Sequence, residues 1–233
     1  MKHLILTALS LLVPQLLSAQ YLTGQGLTPP NKLELIISYQ DALVAAAKSY
    51  AEMDHVPYVW GGSKIGSPED CQACRSCVAE KQVSLTRRMA RCAPCRRCGM
   101  DCSHFVSRVF SDVGLTYGYA SSRELGRQSQ AGLIANYGFV DVGTDISLAQ
   151  PGDVLIYPKH VAMLIQANST THGDIIHSTR FRAGDHLSLG GIRYDKNINL
   201  KKYRGRLIRI IRHYSLFKNP PEFKSSQNRA PVS

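Results

Sequence analysis

The chain has 233 residues, of which 44% are hydrophobic and 19% charged. That is long enough for one domain with a real core and too apolar for a disordered chain. The formal net charge of +11 gives a surface that attracts anionic polymers.

The N-terminus reads as a separate object. Met1-Lys2-His3 is a short basic start, 4–17 is an almost unbroken apolar run, and Ser18-Ala19 supplies small residues before Gln20. This order is that of a secretory signal peptide over 1–19. The run is short for a membrane span and Pro14 interrupts it. Export argues against nucleic acid as the anionic partner and points to wall or envelope polymers. The rest is expected as one domain, 20–218, followed by a disordered tail, 219–233, that holds Pro220-Pro221 and few apolar residues.

A Gly- and Pro-containing linker covers 23–30. Over 33–53, Leu33, Ile36, Ile37, Leu43, Ala46, Ala47 and Tyr50 recur at helical spacing, and the Ala content favours helix. His55-Val56-Pro57 ends that helix, and Tyr58-Val59-Trp60-Gly61-Gly62 is a loop. Residues 63–100 show little apolar periodicity. Over 102–113, Phe105, Val106, Val109 and Phe110 share a helical face, and 124–134 is a further candidate helix. Pro151-Gly152 opens a run of strands at 153–157, 160–165, 175–177 and 207–211, with a polar turn at 168–173. Helices first and adjacent strands after predict an α+β domain with an antiparallel sheet.

The chemistry centres on Asp101-Cys102-Ser103-His104-Phe105-Val106. A cysteine at a helix start meets the first-turn N–H groups and the helix dipole, which favour its thiolate. Its own N–H can face a developing oxyanion. A base must accompany it. His160 and His177 start and end neighbouring predicted strands, so a hairpin would bring the two imidazoles together, one pairing with Cys102 and the other orienting the first. Each residue alone has a plainer reading: a buried thiol, an edge-strand histidine, a core histidine.

Five segments in order decide between these readings. They are Tyr58-Val59-Trp60-Gly61-Gly62, Asp101-Cys102-Ser103-His104-Phe105-Val106, Pro151-Gly152-Asp153-Val154-Leu155, His160-Val161-Ala162-Met163-Leu164 and Ile175-Ile176-His177-Ser178. Together they resemble the NlpC-like family of papain-related cell-wall cysteine peptidases, over roughly 35–212. The resemblance implies a papain-like fold, N-terminal helices packed on an antiparallel sheet, with no cofactor needed for catalysis. It implies Cys102 as nucleophile, His160 as base and His177 as the orienting residue. It places Tyr58, Asp101 and Ser103 at the substrate, Asp101 through a free amino group. It also implies peptidoglycan stem peptides as substrate, cut beside D-glutamate by a monomeric enzyme. Where the family usually has glycine this chain has His104, a departure that bears on substrate detail.

In family terms little separates the Gly-Gly loop from the nucleophile, yet here 63–100 intervenes. It holds two copies of Cys-x-x-Cys-Arg-x-Cys, at Cys71-Cys74-Cys77 and Cys92-Cys95-Cys98. Two chemistries fit. Cys74, Cys77, Cys95 and Cys98 have the two-plus-two spacing of a structural zinc site, Gly99 suits a metal knuckle, and Cys71 and Cys92 are alternative ligands. Three disulfides across two arms fit an exported chain equally well. Cys92, Cys95, Cys98 and Cys102 also follow an iron–sulfur order, but the proline that usually follows is Ser103. Seven cysteines are six plus one, and the one left over is the thiol a nucleophile requires. The insertion ends beside Cys102, so it is expected near the cleft, where it could gate access or dock the protein on an anionic wall.

Overall fold

Lys32–Ala51 forms the first helix, α1, and buries Ile36, Leu43, Ala47 and Tyr50 along one side. The structure is a computed structural model describing residues 31–115, 117–180 and 189–217. The signal peptide expected at 1–19 and the tail expected at 219–233 lie outside the described residues. Among those described, no helix is long and apolar enough to cross a membrane.

After α1 a two-residue strand, β1 (Ser63–Lys64), pairs antiparallel with β2 (Gly99–Met100). Between them lies the insertion, which is more regular than its sequence pattern predicts. Helix α2 (Pro68–Glu80) starts at Ser67, whose side chain accepts from the Asp70 N–H, with proline in the first turn. A 3₁₀ turn, the short helix α3 (Arg88–Arg91) and a second 3₁₀ turn (Ala93–Arg96) return the chain.

Helix α4 (Cys102–Asp112) buries Phe105, Val106, Val109 and Phe110, each worth about 1.5–3 kcal/mol when removed from water. The candidate helix at 124–134 is in fact two. Helix α5 (Ser122–Arg127) ends at Gln128, and α6 (Gln130–Tyr137) restarts on Ser129, which accepts from the Gly132 N–H. Serine caps compete well with continued helix, and here they win.

The main sheet has six strands in the order β3-β8-β4-β5-β6-β7. They are β3 (Phe139–Gly143), β4 (Val154–Tyr157), β5 (His160–Ala167), β6 (His172–Thr179), β7 (Gly191–Asn199) and β8 (Arg209–His213). Every pairing is antiparallel, as the helix-then-strand order predicts. Alternation along the strands builds two cores. Val154, Ile156, Val161, Met163, Ile176 and Ile211 face the helices. Leu155, Tyr157, Ala162, Leu164, Ile175 and Ile210 face the opposite layer, closed by Leu200 and Leu207. The Pro151-Gly152-Asp153 segment is a structural anchor. Gly152 has φ +88, and the buried Asp153 carboxylate takes Arg212 bidentately at 2.7 and 2.9 Å.

Candidate active site

The segment that leads into Cys102 is held by the loop before the insertion. Asp101 N–H donates to Gly62 O at 3.0 Å, Met100 N–H to Pro57 O at 3.1 Å, and Val59 N–H to Met100 O at 3.3 Å. The two chains run so close that a Cβ on Gly99 would lie 2.3 Å from Val59 Cγ2, and one on Gly62 would lie 2.5 Å from Gly99 O. Only glycine permits that approach. On the far side, Ser178 Oγ donates to Met100 O at 2.7 Å. The Tyr58-to-Gly62 motif is thus the cradle of the cysteine.

Asp101 caps α4. Its Oδ1 accepts from the His104 N–H at 2.8 Å and from Ser103 Oγ at 3.0 Å, and its Oδ2 accepts from the Gly61 N–H at 3.1 Å. His104 Nδ1 lies 3.0 Å from Oδ1, within ion-pair reach though off the line of a hydrogen bond. The His104 ring stacks on Tyr119 with centroids 4.0 Å apart, and Tyr119 OH is 3.1 Å from Ser103 Oγ. Burial desolvates the Asp101 carboxyl, but the His104 ring and N–H, followed by Ser103, outweigh it and hold its pKa below the usual value.

Cys102 is the first residue of α4, buried, and the one unpaired cysteine. Its thiol departs from the expectation set by the helix start. Burial first, and the Asp101 charge second, push its pKa up to about 12, against the N–H groups of Val161, Ser103 and Cys102 that favour the thiolate. Helix-start stabilisation is present but is outweighed by desolvation. That the Val161 N–H favours the thiolate puts the thiol near the start of β5, whose first residue is His160.

The two histidines meet as the hairpin predicts. His160 Nε2 lies 2.6 Å from His177 Nδ1, both rings buried and nearly perpendicular. Strand register adds two residues that carry no local signal. His177 pairs with Arg193 on β7, so Asp195 is its diagonal neighbour. Asp195 Oδ2 lies 3.1 Å from His177 Nε2, and Tyr203, from the β7–β8 connection, places its hydroxyl 3.0 Å from the same nitrogen and 2.5 Å from Oδ2. The other oxygen, Oδ1, faces Arg193 Nε at 3.3 Å. Burial would raise the Asp195 pKa, but the hydrogen bond of His177 with the charge that ring carries when protonated, the hydrogen bond of Tyr203 and the charge of Arg193 hold it well below the usual carboxylate range. The alternation of Ile192 and Tyr194 with Arg193 and Asp195 is the one sequence signal for β7, and it is weak.

Tyr58 is buried next to this site, bridged by its backbone to Met100. Its phenol is pushed well above the usual range, first by burial and then by the Cys102 and Asp101 charges, with Arg204 and Arg180 opposing. Tyr58, Asp101, Ser103 and Cys102 are therefore neighbours, as are His160 and His177.

The zinc reading of the insertion is corrected. Cys71 bonds Cys98, Cys74 bonds Cys95 and Cys77 bonds Cys92. The ligand set Cys74, Cys77, Cys95 and Cys98 is distributed over three different disulfides. The physical reason is local: Cys71, Cys74 and Cys77 lie along α2, and the returning segment, with Cys95 in its second 3₁₀ turn and Cys92 and Cys98 on either side, runs back along it. Sulfur in a disulfide offers no thiolate to a metal. Among the described residues no group of three or more His, Cys, Asp or Glu side chains is arranged to hold a metal ion. The iron–sulfur order is excluded by the same pairing of Cys92, Cys95 and Cys98. Arg88 ties the insertion to the cradle through Nη1, which donates to Tyr58 O and Leu189 O. At the far end of α2 a cavity of about 510 Å³ is lined by Lys81, Gln82, Val83, Ser84, Arg87 and Arg91.

Comparison with known proteins follows this geometry. The model of the NlpC/P60 family matches residues 55–186, more than half of the chain. Among solved structures, the peptidoglycan hydrolase RipB from Mycobacterium tuberculosis is 17% identical with a TM-score of 0.46, covering 85% of this chain and 77% of that one. A mutant of the resuscitation promoting factor interacting protein RipA is 18% identical with a TM-score of 0.43, covering 76% of this chain and 63% of that one. A lipoprotein-like NLP/P60-family protein from Staphylococcus aureus is 19% identical with a TM-score of 0.34, covering 85% of this chain and 47% of that one. No curated protein matches the chain.

Proposed function

The chain belongs to the NlpC/P60 family, and on that premise we propose that it is an exported, monomeric cysteine-type hydrolase of the cell wall. Its substrate is the peptide stem of peptidoglycan, cut beside D-glutamate, between the γ-D-glutamyl group and a diamino acid. The observation that carries the reading is an unpaired cysteine at a helix start whose thiolate is favoured by the N–H of Val161, one residue after His160 of a buried imidazole pair.

The steps follow from these groups. The resting thiol is protonated because burial raises its pKa, so its proton must leave as attack begins. His160 takes that proton on Nδ1 while Nε2 stays on His177. The sulfur adds to the stem carbonyl. The Cys102 N–H, at the start of α4, donates to the oxyanion. His160 then returns the proton to the leaving amine, the C–N bond breaks, and a thioester remains. Water gives a proton to His160 and attacks the thioester, releasing the acid and restoring the thiol. Tyr58, Asp101 and Ser103 line the acyl side. Because Asp101 already holds His104, Ser103 and Gly61, a substrate ammonium there competes with the His104 ring.

Three disulfides fit an oxidising compartment, in keeping with a signal peptide over 1–19 on a 20–218 domain. The insertion has a second role, docking on anionic envelope polymers. The cavity lined by Lys81, Arg87 and Arg91, with no acidic residue in its lining, supports it.

Incubation with defined muropeptides, followed by mass spectrometry, tests the proposal. Wild type releases stem fragments whose masses name the scissile bond, and Cys102→Ala releases none. Cleavage retained by Cys102→Ala would refute the assignment. Cleavage between sugar and stem would make the enzyme an amidase with the same triad, and transfer products would make it an acyltransferase.

A further inference from the structure

We infer that Asp195, braced by Tyr203, is a positioning residue that fixes the proton positions of both imidazoles and thereby assigns Nδ1 of His160 as the nitrogen that serves Cys102. This rests on the reading of Cys102 and His160 as nucleophile and base. It extends that reading to residues beyond the family-matched span, which ends at residue 186.

The argument is one of hydrogen-bond direction. An ionised carboxylate only accepts. Asp195 Oδ2 therefore takes the proton of His177 Nε2, 3.1 Å away, and that of Tyr203 OH, 2.5 Å away. With its Nε2 protonated, neutral His177 has a bare Nδ1, which must accept. The atom 2.6 Å from it is His160 Nε2, so that nitrogen carries the His160 proton. The remaining nitrogen of neutral His160 is then an unprotonated Nδ1. Tyr203 agrees in sense: it donates to Asp195, and its oxygen can accept from His177 Nε2 at 3.0 Å. Each bond in the series points the same way, and an acceptor-only group at its end dictates that direction.

Charge acts through the same series. When His160 takes the thiol proton, the imidazolium is stabilised across His177 by the Asp195 carboxylate. Groups on every neighbouring element modulate this. On β7, Arg193 Nε sits 3.3 Å from Oδ1 and offsets part of the negative charge. From the β7–β8 connection come the Tyr203 hydroxyl and the Arg204 guanidinium, 5.8 Å from the Tyr203 ring. Tyr157 of β4 packs edge-on against Tyr203. On the helix side stand Cys102 and Asp101. Among the described residues Asp195 is the carboxylate in hydrogen-bond contact with the imidazole pair.

Asparagine at this position separates the direction of the proton from the shape of the site. Asp195→Asn keeps the volume but presents an amide N–H that can donate to His177 Nε2. That reverses the series and moves the His160 proton to Nδ1, where it blocks transfer from the thiol. The test uses the mature chain and two readouts: Cys102 alkylation by iodoacetamide from about pH 5 to pH 10, and muropeptide hydrolysis over the same range. Melting temperature reports the fold.

For Asp195→Asn the expected result is hydrolysis reduced by about 100-fold or more. The limb of the alkylation profile set by the imidazole pair should move to lower pH by about one unit, because loss of the carboxylate disfavours imidazolium. A packing role alone would lower rates without moving that limb. Asp195→Glu, which keeps the charge, retains the wild-type limb, and serves where the Asn variant does not fold. An Asn variant with wild-type profile and turnover overturns the inference, as does a folded Glu variant that loses the limb. If wild type cleaves no muropeptide but Asp195→Asn still shifts the alkylation profile, the positioning role stands and the substrate reading falls.

Discussion

Two regions flank the Cys102 segment and are held by different physics. On one side β5, β6 and β7 bring His160, His177 and Asp195 into line through strand register over a large apolar core. On the other, the insertion has a small core in which Cys74, Cys92 and Cys95 sit with Val59, Val78 and Leu189. The first region gains its order from burial and can spend polar groups on chemistry. The second has too little apolar surface to hold itself, and covalent cross-links supply its order. Point substitutions should therefore alter function on the strand side and stability on the cysteine side.

Reduction of the disulfides is the largest expected effect. Each bridge in such a segment contributes about 2–5 kcal/mol, so calorimetry with and without reductant should show a fall in Tm of more than about 10 °C. An unchanged Tm would break the comparison. Next comes Gly99→Ala at the junction, where the new Cβ meets Val59. Urea denaturation should show a loss of about 1–3 kcal/mol, and hydrolysis should fall with it, because the same strand carries Met100 to Cys102.

Cys102 gives a pH-dependent effect of intermediate size. Its folded-state pKa of about 12 lies above the ordinary 9.0, so above pH 9.0 the folded chain binds more protons than the unfolded one. That stability is complete below the unfolded value and declines as pH rises toward about 12. Urea midpoints of wild type should fall across this window, relative to Cys102→Ala, which lacks the slope. His104→Gly is the smallest change. It frees one side of Asp101 and should cost less than about 1 kcal/mol. A lower KM for stems with a free amine, with kcat little changed, would show that the His104 ring competes for Asp101.

Periodicity revealed α1, α4 and strands β4, β5, β6 and β8, because their buried positions are aliphatic or aromatic at regular spacing. It missed α2, whose buried face includes Cys71 and Cys74 among charged neighbours. It missed β7, where Arg193, Asp195 and Lys196 interrupt the apolar pattern. The cysteine and both histidines were legible because each lies in a local motif at an element's start or within a hydrophobic strand. Asp195 and Tyr203 were not, since only strand pairing brings the first, and the β7–β8 connection the second, to His177. Spacing left zinc and disulfides equally open. The choice depended on α2 being met by a segment that returns along it, which six cysteine positions do not encode.

The nested order of the bridges bears on how the chain matures. Separations of 15, 21 and 27 residues shorten inward, so loop closure favours Cys77–Cys92 first. Each bond then brings the next pair into range, like a zip drawn from the tip of the arms toward their base. The last bond joins Cys71 to Cys98, beside the one thiol that must stay reduced. Cys71 and Cys98 thus stay reduced longest, and the bond that withdraws them as partners for Cys102 is the last to form.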